Sequence, residues 1–128
     1  MYSTPFTDSD LSRNSFLVTG GAGFIGSNIV EYLVRHGAGK IRILDNLSEG
    51  KLQNIAPFLS LPSVEFIQGD ITDNETCRVA CQQIDYVSHQ AALGSVPRSI
   101  ATPLVTNAAN VTGFLNMLVA AKEASVRR

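Results

Sequence analysis

Three observations place this chain in the α/β class, with a doubly wound parallel sheet. Short continuous apolar runs alternate with segments of helical period. Each run ends in Gly, Asp or Asn, or passes into small residues. The first run opens directly into a glycine-rich turn and then an amphipathic segment. The resulting order is β-α-β-(α)-β-α-β-α, which implies a parallel sheet covered by helices on both faces. Right-handed crossovers and the usual winding predict the strand order 3-2-1-4.

Each element has a local reason. Residues 1–14 read as a loosely ordered amino-terminal arm, and residues 15–128 as the folded part. Phe16-Leu17-Val18-Thr19 suits a buried parallel strand. Ile25, Ile29, Leu33 and Val34 recur at helical spacing, and Gly37 and Gly39 stop that helix. Ile41, Ile43 and Leu44 mark a second strand that ends at Asp45. Leu52 to Leu59 is expected to form one short helix, closed near Pro57 and Pro62. Val64 to Ile67 is a third strand ended by Gly69-Asp70. Thr72 or Asp73 caps a helix running through Gln82. Tyr86-Val87 centres a fourth strand leading into Ala91-Ala92. Pro103 suits the first turn of a long helix to about Ser125.

Composition excludes several classes. The 128 residues suit one domain, large enough for a core without disulfide or metal staples. Ten Lys+Arg stand against 11 Asp+Glu with no basic cluster, which argues against nucleic acid or an anionic membrane as partner. No uninterrupted apolar run approaches the roughly 18–20 residues of a membrane span; the most apolar stretch, Val111 to Ala121, contains Gly113 and Asn116. The polar first fifteen residues do not read as a signal peptide. Cys77 and Cys81 are too few for a disulfide framework. A cytoplasmic globular domain is expected.

The stretch Thr19-Gly20-Gly21-Ala22-Gly23-Phe24-Ile25-Gly26 carries the chemistry. Gly20 allows a tight turn as the strand ends. Gly23 lets the backbone approach a pyrophosphate, and Gly26 lets helix and strand pack closely. The helix amino terminus then offers free N–H groups to phosphates. Such glycine spacing is weak alone, but here it follows a strand, opens a helix, and is followed by an acid at the end of the next strand. That acid, Asp45, can accept hydrogen bonds from ribose hydroxyls and repels a 2′-phosphate, which favours NAD over NADP. Asp70 has two readings, an adenine-side contact or a cap for the next helix.

Those residues, with Asp45-Asn46, Gly69-Asp70-Ile71 and His89-Gln90-Ala91-Ala92, resemble the extended short-chain dehydrogenase/reductase family, the NAD-dependent epimerases and dehydratases. The run His89 to Ser99 with Asn110 to Asn116 is similar to bacterial UDP-N-acetylglucosamine 4-epimerases, which interconvert UDP-GlcNAc and UDP-GalNAc. The resemblance spans about residues 16–126. It implies a Rossmann-like fold of which this chain holds the amino-terminal portion, without the carboxyl-terminal substrate domain. It further implies that the backbone at Gly23, Phe24 and Ile25 holds the pyrophosphate of NAD and that Asp45 and Asn46 bind the ribose. Ser48 and Gly50 match a Ser-Thr-Gly loop whose middle residue is here Glu49. Asp70 and Ile71 flank the adenine. Gln90, Ala91 and Ala92 run beside the nicotinamide ribose, and Asn110 supports the cofactor site. Gly94 and Ser95 face the UDP-HexNAc sugar. A nucleotide-sugar 4,6-dehydratase or decarboxylase, or a non-catalytic nucleotide-binding module, are the alternatives. Family members are commonly homodimers.

The family's base is a Tyr followed four residues on by Lys. Here Tyr2, Tyr32 and Tyr86 are followed at that spacing by Phe6, His36 and Gln90. No catalytic residue and no metal ligand is therefore assigned. Cys77 and Cys81 read as buried small residues. His36 suits a helix carboxyl terminus, His89 a packing and hydrogen-bonding role, and Arg98 either a phosphate or an acidic partner. The edge of the fourth strand is expected to be open, and Phe114 and Leu118 partly exposed. The expectation is that this 128-residue chain binds NAD weakly or not at all and shows no epimerase activity alone. A coupled assay with UDP-GlcNAc should give no turnover; robust turnover would contradict it.

Overall fold

The computed structural model describes residues 2–128; Met1, the first residue of the arm, lies outside them. Four parallel strands, β1 (Ser15–Thr19), β2 (Lys40–Asp45), β3 (Val64–Gln68) and β4 (Tyr86–His89), form one sheet in the order 3-2-1-4. Helix α1 (Phe24–Arg35) covers one face. Helix α2 (Asn74–Cys81) and the long helix α4 (Pro103–Glu123) cover the other. The short α3 (Val96–Ala101) precedes α4.

Alternation along the strands builds two cores. Val18, Ile41 and Ile43 face α1 and meet Val30, Leu33 and Ile55. Leu17 and Leu44 face the other way, onto Ile71, Cys77, Cys81, Ile84 and Met117. Both cysteines are buried there, and desolvation pushes each thiol up to about 11. Gly37, at φ +70°, ends α1. Asp73 caps α2, its carboxylate accepting from the Thr76 N–H at 3.0 Å.

Several expectations are corrected. Leu52 to Leu59 is not one helix but two 3-10 turns, Leu52–Asn54 and Ala56–Phe58, meeting at the buried Ile55. Pro57, the second residue of the second turn, has no N–H for a continuing helix. Helix α3 was not expected; Ser95 Oγ accepts from the Arg98 N–H at 3.4 Å and Pro97 occupies the first turn. Residues 2–14, though mostly exposed, touch α1. Phe6 stacks on Tyr32, with ring centroids 5.2 Å apart, and the Tyr2 hydroxyl donates to Asn28 Oδ1 at 2.9 Å. The edge of β4 is partly paired by the tail: Arg127 N–H donates to the Asp85 carbonyl and Val87 N–H to that of Arg128, each at 2.9 Å.

Helix α4 is the largest departure. It runs 21 residues, α-helical at Pro103–Asn107, π-helical at Ala108–Gly113 and α-helical again at Phe114–Glu123. Its mean hydropathy of 1.3 over an 18-residue window makes it long and apolar enough to cross a membrane by length and composition. Phe114 and Leu118 are 45% and 52% exposed, as the sequence suggested.

One buried charge organises the second core. Arg42, in the middle of β2, is 6% exposed. Its Nη1 donates to the Ala80 and Gln82 carbonyls at 2.8 and 2.7 Å, at the carboxyl end of α2, and its Nε to Glu65 Oε2 at 3.0 Å. Removing it strands those acceptors without solvent. Arg42→Ala should lower unfolding free energy by about 2–3 kcal/mol, read from urea denaturation, and Arg42→Lys should recover only part because one ammonium cannot reproduce the fork. A loss below about 0.5 kcal/mol, the range of neutral surface changes, would show that the cap is dispensable.

Candidate functional site

The carboxyl ends of the strands meet around β1. Gly20 takes φ +65°, and a Cβ there would lie 2.7 Å from the Ala91 nitrogen. A Cβ on Gly26 would overlap the Gly20 carbonyl oxygen. The turn therefore brings the start of α1 and the segment after β4 into backbone contact with the end of β1. Gly23 caps α1 without any side-chain bond, so among the described residues no side chain occupies the N–H groups of the first turn. Phe24 and Ile25 are 84% and 61% exposed at that end.

Thr19 ties β1 to β4. Its buried Oγ1 accepts from the N–H groups of Gln90 and Ala91 at 3.1 and 3.2 Å. Its own proton is then directed to His89 Nδ1, 2.8 Å away, which leaves the ring proton on Nε2. Burial pushes the His89 pKa below its ordinary value, and the ring packs on Phe114. His89 is thus a packing and hydrogen-bonding residue. His36 closes α1, with Nε2 2.8 Å from the Tyr2 carbonyl.

Asp45, at the end of β2, is 7% exposed. Its Oδ2 accepts from Ala22 N–H at 3.0 Å and its Oδ1 from Leu47 N–H at 2.8 Å. A carboxylate has about four acceptor sites, so it retains capacity for a ligand hydroxyl. Asp70 does not cap α2; Asp73 does. Asp70 instead accepts from Asn46 Nδ2 at 3.0 Å and from Thr72 N–H at 2.8 Å. Burial works against its ionisation, but the bonds from Thr72 and Asn46 outweigh burial and hold its pKa below the usual 3.8. This stabilisation is complete above the ordinary carboxylate range and is lost as pH falls through the lower folded value.

These ends enclose a cavity of about 550 Å³. Of the predicted residues, Gly20, Asp45, Asn46 and Ser48 line it, as do Gly50, Asp70, Ile71, Ala91 and Ala92. Gly23, Phe24, Ile25, Gly26, Gln90, Gly94, Ser95 and Asn110 lie outside its wall. Ser95 has φ +99° and its hydroxyl caps α3. Asn110 acts from behind: its Oδ1 accepts from Leu93 N–H at 2.7 Å and its Nδ2 donates to the Leu93 carbonyl at 2.8 Å. The π-helical stretch that carries it also turns Ala108 and Ala109 into the wall. Sequence reasoning passed over Thr19, Leu93 and Ala108 as site residues. Thr19 had a signal, a hydroxyl ending an apolar strand; Ala108 had none.

The arrangement fits a dinucleotide. A backbone cradle in which Gly20 and Gly26 admit no Cβ lies beside an uncapped helix start, with a carboxylate at the end of the neighbouring strand. Comparison with known proteins agrees. Residues 16–128 match the NAD dependent epimerase/dehydratase family. The chain is 41% identical over 115 residues to the low-salt glycan biosynthesis protein Agl12 of Haloferax volcanii, covering 88% of this chain and 36% of that one. It superposes on DesIV, a dTDP-glucose 4,6-dehydratase from Streptomyces venezuelae with NAD and TYD bound, with TM-score 0.84 and 38% identity, covering 89% and 37%. It superposes on a UDP-N-acetylglucosamine 4-epimerase from Methanobrevibacter ruminantium M1 with TM-score 0.80 and 38% identity, covering 88% and 35%. The chain thus spans little more than a third of these relatives.

Asn110→Ala should release the segment after β4 without unfolding the core. Hydrogen exchange at the Leu93 amide should quicken about tenfold, the worth of one such bond, with the melting temperature little changed. Unchanged exchange at Leu93 would contradict this support role.

Proposed function

The chain belongs to the NAD-dependent epimerase/dehydratase family, and on that premise we propose that it forms the NAD-binding part of a nucleotide-sugar epimerase acting on UDP-GlcNAc and UDP-GalNAc. The observation that carries the reading is the backbone cradle of Gly20, Gly23 and Gly26 set beside the Asp45 carboxylate at the strand ends. NAD, when bound, supplies hydride transfer at C4 of the sugar.

In this reading the chain's residues bind and orient. The N–H groups at the start of α1, from Phe24 and Ile25, receive the diphosphate. Asp45 accepts from the adenosine ribose hydroxyls, joined by Asn46, Ser48 and Gly50 of the following loop. Asp70 and Ile71 flank the adenine. Gln90, Ala91 and Ala92 run beside the second ribose, held in place through Thr19 and, by way of Leu93, Asn110. Gly94 and Ser95 lie toward the sugar. The run Leu93 to Ser99 supports the UDP-GlcNAc reading. A second reading, a nucleotide-sugar 4,6-dehydratase, is supported by the likeness to DesIV. Homodimerisation of the whole protein is proposed as well, supported by the exposed apolar face of α4.

A site-resolved NMR titration tests the cofactor reading even where affinity is weak. Added NAD should shift the amides of Gly23, Phe24 and Ile25 together with Asp45 and Asn46, and NADP should shift them less at equal concentration because of the Asp45 charge. Shifts confined to other regions, or equal responses to both dinucleotides, would contradict it. In a protein of the relatives' full length carrying this chain, formation of UDP-GalNAc from UDP-GlcNAc supports the epimerase reading; a 4-keto-6-deoxy product identifies a dehydratase.

A further inference from the structure

Glu49 and Arg98 join two walls of the cavity that are otherwise separate in sequence. Glu49 lies on the loop after β2 and Arg98 on α3, and Arg98 Nη1 donates to Glu49 Oε1. The loop's other side-chain bonds do not reach α3: Leu47 N–H donates to Asp45, Ser48 N–H to Asn46, and Asn46 Nδ2 to Asp70. Those of α3 are local too, from Ser99 Oγ to the Val96 carbonyl and from Thr102 Oγ1 to that of Arg98. The two side chains are 42% and 44% exposed, so their pair is solvated and readily exchanged.

Charge gives the pair its meaning. Among the described residues lining the cavity, Arg98 is the one cation, set against the carboxylates of Asp45, Glu49 and Asp70. An anionic ligand entering the cavity finds a single guanidinium on its walls, and Glu49 already holds it. We propose that Arg98 is an anion-binding residue of this cavity and that Glu49 is its resting partner. A ligand phosphate takes the guanidinium over, Glu49 is released, and the loop after β2 separates from α3. A planar guanidinium suits this exchange, because carboxylate and phosphate oxygens match the same fork. The proposal rests on the dinucleotide reading for the identity of its ligand, but not for the anion exchange itself.

The two partners then affect binding with opposite sign, which a merely structural pair would not do. Glu49→Gln frees Arg98 and should tighten binding about threefold; Arg98→Gln should weaken it about threefold, within the range of exposed ion pairs. NAD and inorganic pyrophosphate are titrated in parallel by NMR on the wild-type chain and both variants. Opposite shifts with pyrophosphate support the proposal. Shifts of the same sign, or no difference among the three proteins, overturn it. Wild-type binding of pyrophosphate without NAD keeps the exchange and removes the dinucleotide reading. Without ligand, both variants should exchange the amides of residues 48–51 faster than wild type; unchanged exchange would show that the pair does not hold the loop, and would also overturn the proposal.

Discussion

Three stretches of backbone meet at the carboxyl end of β1, and the rest of the site depends on that meeting. Gly20 lies against Ala91 and Gly26 against Gly20, each at a distance that no Cβ allows. The first contact sets where the chain leaves β4; the second sets where α1 begins. Because β1 is flanked by β2 and β4, both contacts fall where the winding of the sheet reverses, the place where ligands bind in sheets of this kind. Side chains add precision to a geometry that glycine makes possible.

Those side chains serve mainly to hold backbone. Thr19 ties down the amides of Gln90 and Ala91, Asp45 those of Ala22 and Leu47, and Asn110 both polar groups of Leu93. No buried side-chain nitrogen or oxygen among the described residues lacks a partner, as a site of defined shape requires. The walls of the cavity are thus loop backbone fixed by buried polar groups, mounted on strands whose own packing is apolar. Arg42 performs the same service away from the cavity, anchoring the end of α2 to the sheet.

The strands, α1, α2 and the sheet order were legible because each is a local pattern: an apolar run or a 3.6-residue stripe between Gly, Asp or Pro breaks. The glycine turn and Asp45 were legible because their chemistry depends on spacing. Helix α3 was missed although Ser95 and Pro97 are ordinary signals of a helix start, since six residues are too few to show a period. The π-helical stretch of α4 leaves no trace in spacing. Arg42 was passed over in the sequence, because its carbonyl partners lie 38 and 40 residues away and come together only in the fold. The pairing of Glu49 with Arg98 is long-range in the same way. The apolar length of α4 was undercounted because Gly113 and Asn116 were taken as interruptions, whereas helix geometry runs through them.

The central claim is that the backbone cradle at β1, with Asp45 beside it, seats a dinucleotide in one orientation. A crystal structure of this chain grown with NAD tests it most directly. The account predicts the diphosphate within hydrogen-bonding distance of the Phe24 and Ile25 amides, an adenosine ribose hydroxyl on Asp45, and the adenine beside Asp70 and Ile71. A dinucleotide bound in the reverse direction, or seated away from the start of α1, would contradict it.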